Sequence, residues 1–136
     1  MSAKNLPKYF EYNKAKIPTI GLGTAYMSNV SEVVFSSIKD GVRLIDTAAV
    51  YGTEKGVGKG IKKAIDQGIV KREDLFITKL SKFDIKNPES AVKNSLKMLG
   101  LDYIELYLLH WPKFFDYNGK YKKTNIVPMH VIWPNM

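Results

Sequence analysis

Four residues of this chain have the types and spacing to do chemistry together: Asp46, Tyr51, Lys79 and His110. Asp46 follows the apolar pair Leu44-Ile45, and a carboxylate at the end of a buried strand is costly unless something partners it. Tyr51 stands five positions later beside Gly52, Lys79 near the end of the apolar run from Leu75, and His110 at the end of another. A tyrosine, with a pKa of about 10, becomes a useful acid at neutral pH when a nearby cation stabilises the phenolate. Lys79 is the candidate for that cation, with Asp46 holding it charged and oriented. His110, taken as neutral, can donate to a carbonyl oxygen. Together they suit proton delivery to an oxygen that gains negative charge, as a carbonyl does on receiving hydride. Hydride cannot come from side chains, so such a site calls for a nicotinamide or a flavin.

Each residue alone has a plainer use. An aspartate at a strand end caps turns, a tyrosine packs, a strand-end lysine is solvated, and a histidine before Trp-Pro can be buried and hydrogen-bonded. The joint placement favours chemistry.

Apolar periodicity supplies the elements that must position them. Tyr9 to Ile17 reads as a short hairpin turning at Asn13-Lys14, and Ile17 to Thr24 as a first buried strand. Ser28 or Ser31 is expected to cap a helix carrying Val33, Val34 and Ile38, stopped by Gly41. Val42 to Ile45 is a second strand. Glu54 to Gln67 is helical on the face of Val57, Ile61, Ala64 and Ile65, although Gly56, Gly58 and Gly60 weaken it and call for close packing or a ligand. Leu75 to Leu80 is a third strand. Asn87-Pro88 starts a helix with Val92, Leu96 and Leu99 on its apolar face. Tyr103 to Leu109 is a fourth strand.

Strands alternating with helices imply a parallel sheet with crossovers, either a doubly wound open sheet or a (β/α)8 barrel. The doubly wound nucleotide binder needs a third glycine that Gly21-Leu-Gly-Thr-Ala-Tyr26 lacks. In a barrel all four polar residues share the C-terminal rim where such folds do their chemistry. Adjacent parallel strands lie about 4.8 Å apart, so side chains from neighbouring strand ends can touch.

Composition narrows the remaining classes. The net charge is +8, but the lysines are spread from Lys4 through Lys71 rather than gathered in a stripe, which argues against a nucleic-acid reader. No cysteine is present, so there is no disulfide and no thiolate metal site, which suits a reducing cytoplasm. Two histidines argue against a dedicated zinc site, and no apolar run is long enough to span a membrane.

The motifs Gly21-Leu-Gly-Thr24, Asp46-Thr-Ala-Ala-Val-Tyr-Gly52, Gly68-Ile-Val-Lys-Arg-Glu-Asp-Leu-Phe-Ile-Thr78, Leu99-Gly-Leu-Asp-Tyr103 and Leu106-Tyr-Leu-Leu-His-Trp-Pro112 together resemble the aldo-keto reductases. The resemblance runs from about Tyr9 to Pro112 in order and spacing. It implies a (β/α)8 TIM-barrel fold and NADPH-dependent reduction of an aldehyde or ketone to an alcohol. By the same resemblance Tyr51 is the proton donor, tuned by Asp46 and Lys79. His110 orients the small-molecule carbonyl substrate and Trp111 lines its pocket, while Gly23, Thr24 and Asp46 border the nicotinamide ribose of NADP(H). The hairpin plugs the bottom of the barrel.

Two local departures have physical consequences. One residue fewer than usual separates Phe76 from Lys79, and side chains alternate along a strand, so the lysine turns to the other face unless a bulge or register shift compensates. Where the family commonly has an aromatic residue, Ala25 stands before Tyr26, which alters the pocket wall.

A complete barrel of this type needs about 250 residues, against 136 here. The expectation is a truncated barrel domain over residues 1–136 with about the first four βα units, residues 113–136 being a substrate-loop-like tail. Most of the cofactor site would then lie outside the chain, leaving it weakly active or inactive. The alternative is a non-catalytic half barrel that associates with itself or a related chain through its open edges.

Overall fold

The computed structural model describes residues 7–81 and 87–110. Trp111 and the tail at 113–136 lie outside the described residues.

The chain opens with the hairpin β1 (Tyr9–Tyr12) and β2 (Ala15–Pro18), paired antiparallel. Asn13 and Lys14 both have positive φ, 46° and 68°, the backbone of a two-residue primed turn. The expected strand from Ile17 to Thr24 is in fact two. Ile17 and Pro18 belong to the hairpin, and only β3 (Gly21–Gly23) enters the main sheet. Thr19 continues the hairpin by bonding its N–H to the Lys8 carbonyl at 3.2 Å. Ile20, at the break between the two strands, is exposed.

After β3 come α1 (Val30–Lys39), β4 (Leu44–Ala48), α2 (Glu54–Asp66), β5 (Phe76–Ser81), α3 (Pro88–Leu99) and β6 (Leu106–Leu109). The strand order is β3-β4-β5-β6, every neighbouring pair parallel, with a helix in each crossover. This is a run of the α/β barrel architecture, with no reversal of strand order among the described residues.

Three element ends differ from expectation. α1 has no serine cap: Asn29 takes the left-handed conformation (φ 53°) and its carbonyl accepts from Glu32 and Val33. Asparagine tolerates that conformation better than most residues. β4 runs to Ala48, three residues past Ile45, so Asp46 lies within the strand rather than after it. Small Thr47 and Ala48 let the ladder to β5 continue. β6 begins at Leu106, because Tyr103 and Glu105 are engaged by Arg72. The Asn87 cap forms as expected, its Oδ1 accepting from the Ser90 N–H at 2.9 Å.

The core joins one face of the sheet to the helices. Ile45 and Ile77 pack with Val34, Ile38, Val57, Ile61, Ala64 and Leu99, all buried. On α3 the buried stripe is Ala91, Ser95 and Leu99, with Val92 and Leu96 half-buried beside it. α2 packs against both α1 and α3, and this accounts for its glycines. A Cβ on Gly58 would sit 1.9 Å from the Leu99 carbonyl oxygen, and one on Gly60 2.6 Å from that of Ser31. Gly58→Ala would gain about 1 kcal/mol of helix propensity. It would also drive a methyl group into an immovable backbone carbonyl, an overpacking cost of about 1–3 kcal/mol or more. The clash is expected to win, lowering the urea midpoint of the full chain.

Candidate active site

The rim is built where β4, β5 and β6 end. β4 leads through Asp46 into a 3-10 turn over Ala49–Tyr51, closed by Gly52 with φ 66°. That turn brings the Tyr51 ring edge-on to the His110 ring, with centroids 5.8 Å apart and planes at 87°. Such T-shaped pairs are favourable because the positive edge of one ring meets the negative face of the other. His110 follows β6 directly and its backbone N–H reaches the Ser81 carbonyl at the end of β5 (3.3 Å).

Asp46 is coupled to both. Burial pushes its carboxyl pKa above the ordinary value, opposed first by His110 and then by Lys79. Burial also pushes the Tyr51 phenol up, helped by the Asp46 carboxylate and the Tyr26 phenol. The structure therefore gathers Asp46, Tyr51 and His110.

Lys79 is placed differently. The β4–β5 ladder runs without interruption from Leu44↔Phe76 to Ala48↔Leu80, so no bulge compensates for the shorter spacing after Phe76. Asp46 pairs with Thr78, and Lys79 pairs with Thr47, one position along. Lys79 thus belongs to the sheet face opposite Asp46. This corrects its expected position beside the phenol.

Gly23 and Thr24 border the same rim. Gly23 is the register partner of Asp46, and a Cβ there would meet nothing within 4 Å. Thr24 is fully buried, its hydroxyl donating to the Asp46 carbonyl at 2.9 Å. Its oxygen also lies 3.4 Å from Thr53 Oγ1, which is 3.5 Å from Thr47 Oγ1. Thr53 and Glu54 escaped the sequence reading. An acid at a helix start looks like a match to the helix dipole, and only parity counting for Lys79 hinted that its face needed a counter-charge.

The raised carboxyl carries a stability consequence. Folded Asp46 holds its proton more tightly than the unfolded chain does, so the native state binds more protons between the ordinary carboxylate range and the raised value. Stability from this group falls as pH rises through that window and stays low above it. Asp46→Asn is expected to raise Tm at pH 7. The gain should shrink as pH falls through the ordinary carboxylate range and vanish below about pH 3, where the carboxyl is protonated in both states. Thermal melts at the two pH values check this, and an unchanged or lower Tm at pH 7 contradicts it.

A sheet of parallel strands with a Tyr-His-Asp cluster at its C-terminal rim defines an α/β-barrel protein. The sequence matches the Aldo/keto reductase family over residues 19–127. The chain belongs to that family. It is 47% identical over 122 residues to an NAD(P)H-dependent D-xylose reductase of Pachysolen tannophilus, covering 85% of this chain and 38% of that one. It is 46% identical over 104 residues to a glycerol 2-dehydrogenase (NADP(+)) of Saccharomyces cerevisiae, covering 75% and 32%. Among solved structures it resembles the aldose reductase of Schistosoma japonicum, with TM-score 0.81 and 34% identity, over 90% of this chain and 45% of that one. It also resembles a Bombyx mori aldo-keto reductase solved with NADP, with TM-score 0.77 and 34% identity, over 98% and 47%. The chain spans less than half the length of these relatives. Among the described residues no helix is long and apolar enough to cross a membrane.

Proposed function

We propose that this chain carries the proton-donating part of an NADPH-dependent carbonyl reductase site, turning a small aldehyde or ketone into an alcohol. The observation that carries the reading is the edge contact of Tyr51 with His110 beside the Asp46 carboxylate. Tyr51 keeps its proton at neutral pH and can deliver it to a carbonyl oxygen as charge develops there. His110 orients that oxygen by donating a hydrogen bond. Asp46, next to the phenol, raises its affinity for the proton and so makes reprotonation from solvent favourable after each transfer.

The residues present fit a flat dinucleotide group. Gly23 leaves open space at the register position of Asp46, and Thr24 keeps the end of β3 tied to β4. Gly23, Thr24 and Asp46 would border the ribose, and the bound nicotinamide would supply the hydride. Support for NADP(H) comes from the names of the relatives, which are NAD(P)H-dependent reductases or NADP-linked dehydrogenases. A cytoplasmic site of action is part of the same proposal.

The test is direct. The purified 136-residue chain is mixed with NADPH and a small aldehyde or an aldose, and the loss of NADPH absorbance is followed. Turnover above the protein-free control supports the reading. Neither turnover nor enhanced NADPH fluorescence on mixing overturns it for this chain. One observation favours a second, non-catalytic reading, association through strand edges: within the described sheet β3 and β6 each have a single neighbour. A dimer that neither oxidises nor binds NADPH would support it.

A further inference from the structure

Lys79 and Glu54 form a buried ion pair that the proposed proton delivery does not use. On the face shared by Thr47 and Lys79, the neighbouring Ile45 and Ile77 are packed under the helices. A lysine on that face must bury its charge, and the Lys79 side chain is fully buried. Its Nζ donates to the carbonyl of Leu80 at 2.9 Å and lies 3.3 Å from Glu54 Oε1. That second contact is an ion pair outside hydrogen-bond geometry. The Glu54 side chain is 7% exposed, and Glu54 is the first residue of α2, three positions after Tyr51.

Removing one member of such a pair takes the nearest counter-charge from the other in a low-dielectric site, while removing both does not. The pair also spans two elements. Glu54 begins α2, directly after the turn that carries Tyr51, and Lys79 lies in β5. Thr53, between turn and helix, is held against Thr24 and Thr47.

We infer that Glu54 and Lys79 are positioning residues, a buried clamp that fixes the start of α2, and with it the Tyr51 turn, onto the end of β5. Lys79 then acts on the rim through the backbone of residues 51–54 rather than by setting its charge beside the phenol. The electrostatics agree. Burial, Asp46 and Tyr26 each push the Tyr51 pKa up, and the influence of Lys79 falls on Asp46, behind that of His110. This deepens the proposed function, resting on its reading of Tyr51 as the donor. Its test reads folding and ring geometry rather than turnover, so the two can fail separately.

The variants are Glu54→Gln, Lys79→Met and the two combined, in the full chain. Each single change is expected to lower Tm by roughly 10 °C or more, and the combination by clearly less than the sum. Each single change should also weaken the proton NOE between the Tyr51 and His110 rings at pH 7, which destabilisation elsewhere in the folded protein would leave intact. Additive losses in Tm, or single variants with the parental NOE, overturn the clamp. So does a rise of one unit or more in the Tyr51 titration midpoint of Lys79→Met, the mark of a cation removed from beside the phenol. If Lys79→Met fails to fold, Glu54→Gln decides alone: parental Tm or parental NOE sinks the inference.

Discussion

Tyr51→Phe is expected to reduce NADPH-dependent carbonyl turnover by about 10²–10⁴-fold, the usual contribution of a positioned acid, while leaving the fold untouched. The phenyl ring keeps its edge against His110 and loses only the O–H. A donor acts in the transition state, so the loss should fall on kcat and kcat/KM together, with NADPH affinity unchanged. The pH profile supplies an independent check. The phenol must be protonated to donate, and burial, Asp46 and Tyr26 all raise its pKa. Turnover in the parent should therefore stay level up to about pH 10 and decline only beyond it. An alkaline limb near neutrality would mean that another group, or a cation-stabilised phenolate, sets the acidity. A Tyr51→Phe variant with more than half the parental kcat would remove Tyr51 from the proposed role.

How much of this was legible beforehand depends on whether local or distant atoms decide each feature. The hairpin turn needed only Asn13-Lys14, and the α3 start only Asn87-Pro88, because turn and cap chemistry act within a few residues. The helix over Glu54–Asp66 was readable from its apolar spacing. Its glycines were not, since their reason is the Leu99 and Ser31 carbonyls arriving from α3 and α1. Asp46, Tyr51 and His110 could be brought together from strand order alone, because parallel strands all present the same end to one rim. Lys79 shows the boundary. Counting residues after Phe76 exposed the parity problem, but whether a bulge repaired it depended on the pairing of β4 with β5. The partner that makes the outward lysine tolerable, Glu54, is buried by contacts between separate elements. Single-residue patterns do not encode such contacts.

The same separation of local from distant causes makes Glu105→Ala the most destabilising change expected at the other end of the strands. Glu105 precedes β6, and its carboxylate does three things at once. Oε1 and Oε2 accept from the two terminal nitrogens of Arg72 at 2.9 and 3.1 Å, and Oε2 also accepts the Ile77 backbone N–H at 2.7 Å. It thereby serves the β5 ladder just ahead of the strand that follows it. Arg72 is held further by the carbonyls of Tyr103 and Leu75, and its guanidinium lies 3.9 Å over the Tyr103 ring. Both charged side chains are less than one-fifth exposed, so alanine leaves a mostly buried guanidinium without its counter-ion and an amide without its acceptor. Breaking such a pair costs about 3–5 kcal/mol, a large share of the roughly 5–15 kcal/mol that holds a domain together. Two readouts separate this from general loosening. The urea midpoint should fall far more for Glu105→Ala than for Glu105→Gln, which keeps an acceptor for Ile77. In the folded fraction, amide exchange at Ile77 should accelerate more than at Ile45 across the ladder. Equal midpoints for the two variants, or an Ile77 amide as protected as in the parent, would show that backbone pairing alone holds β5 to β6.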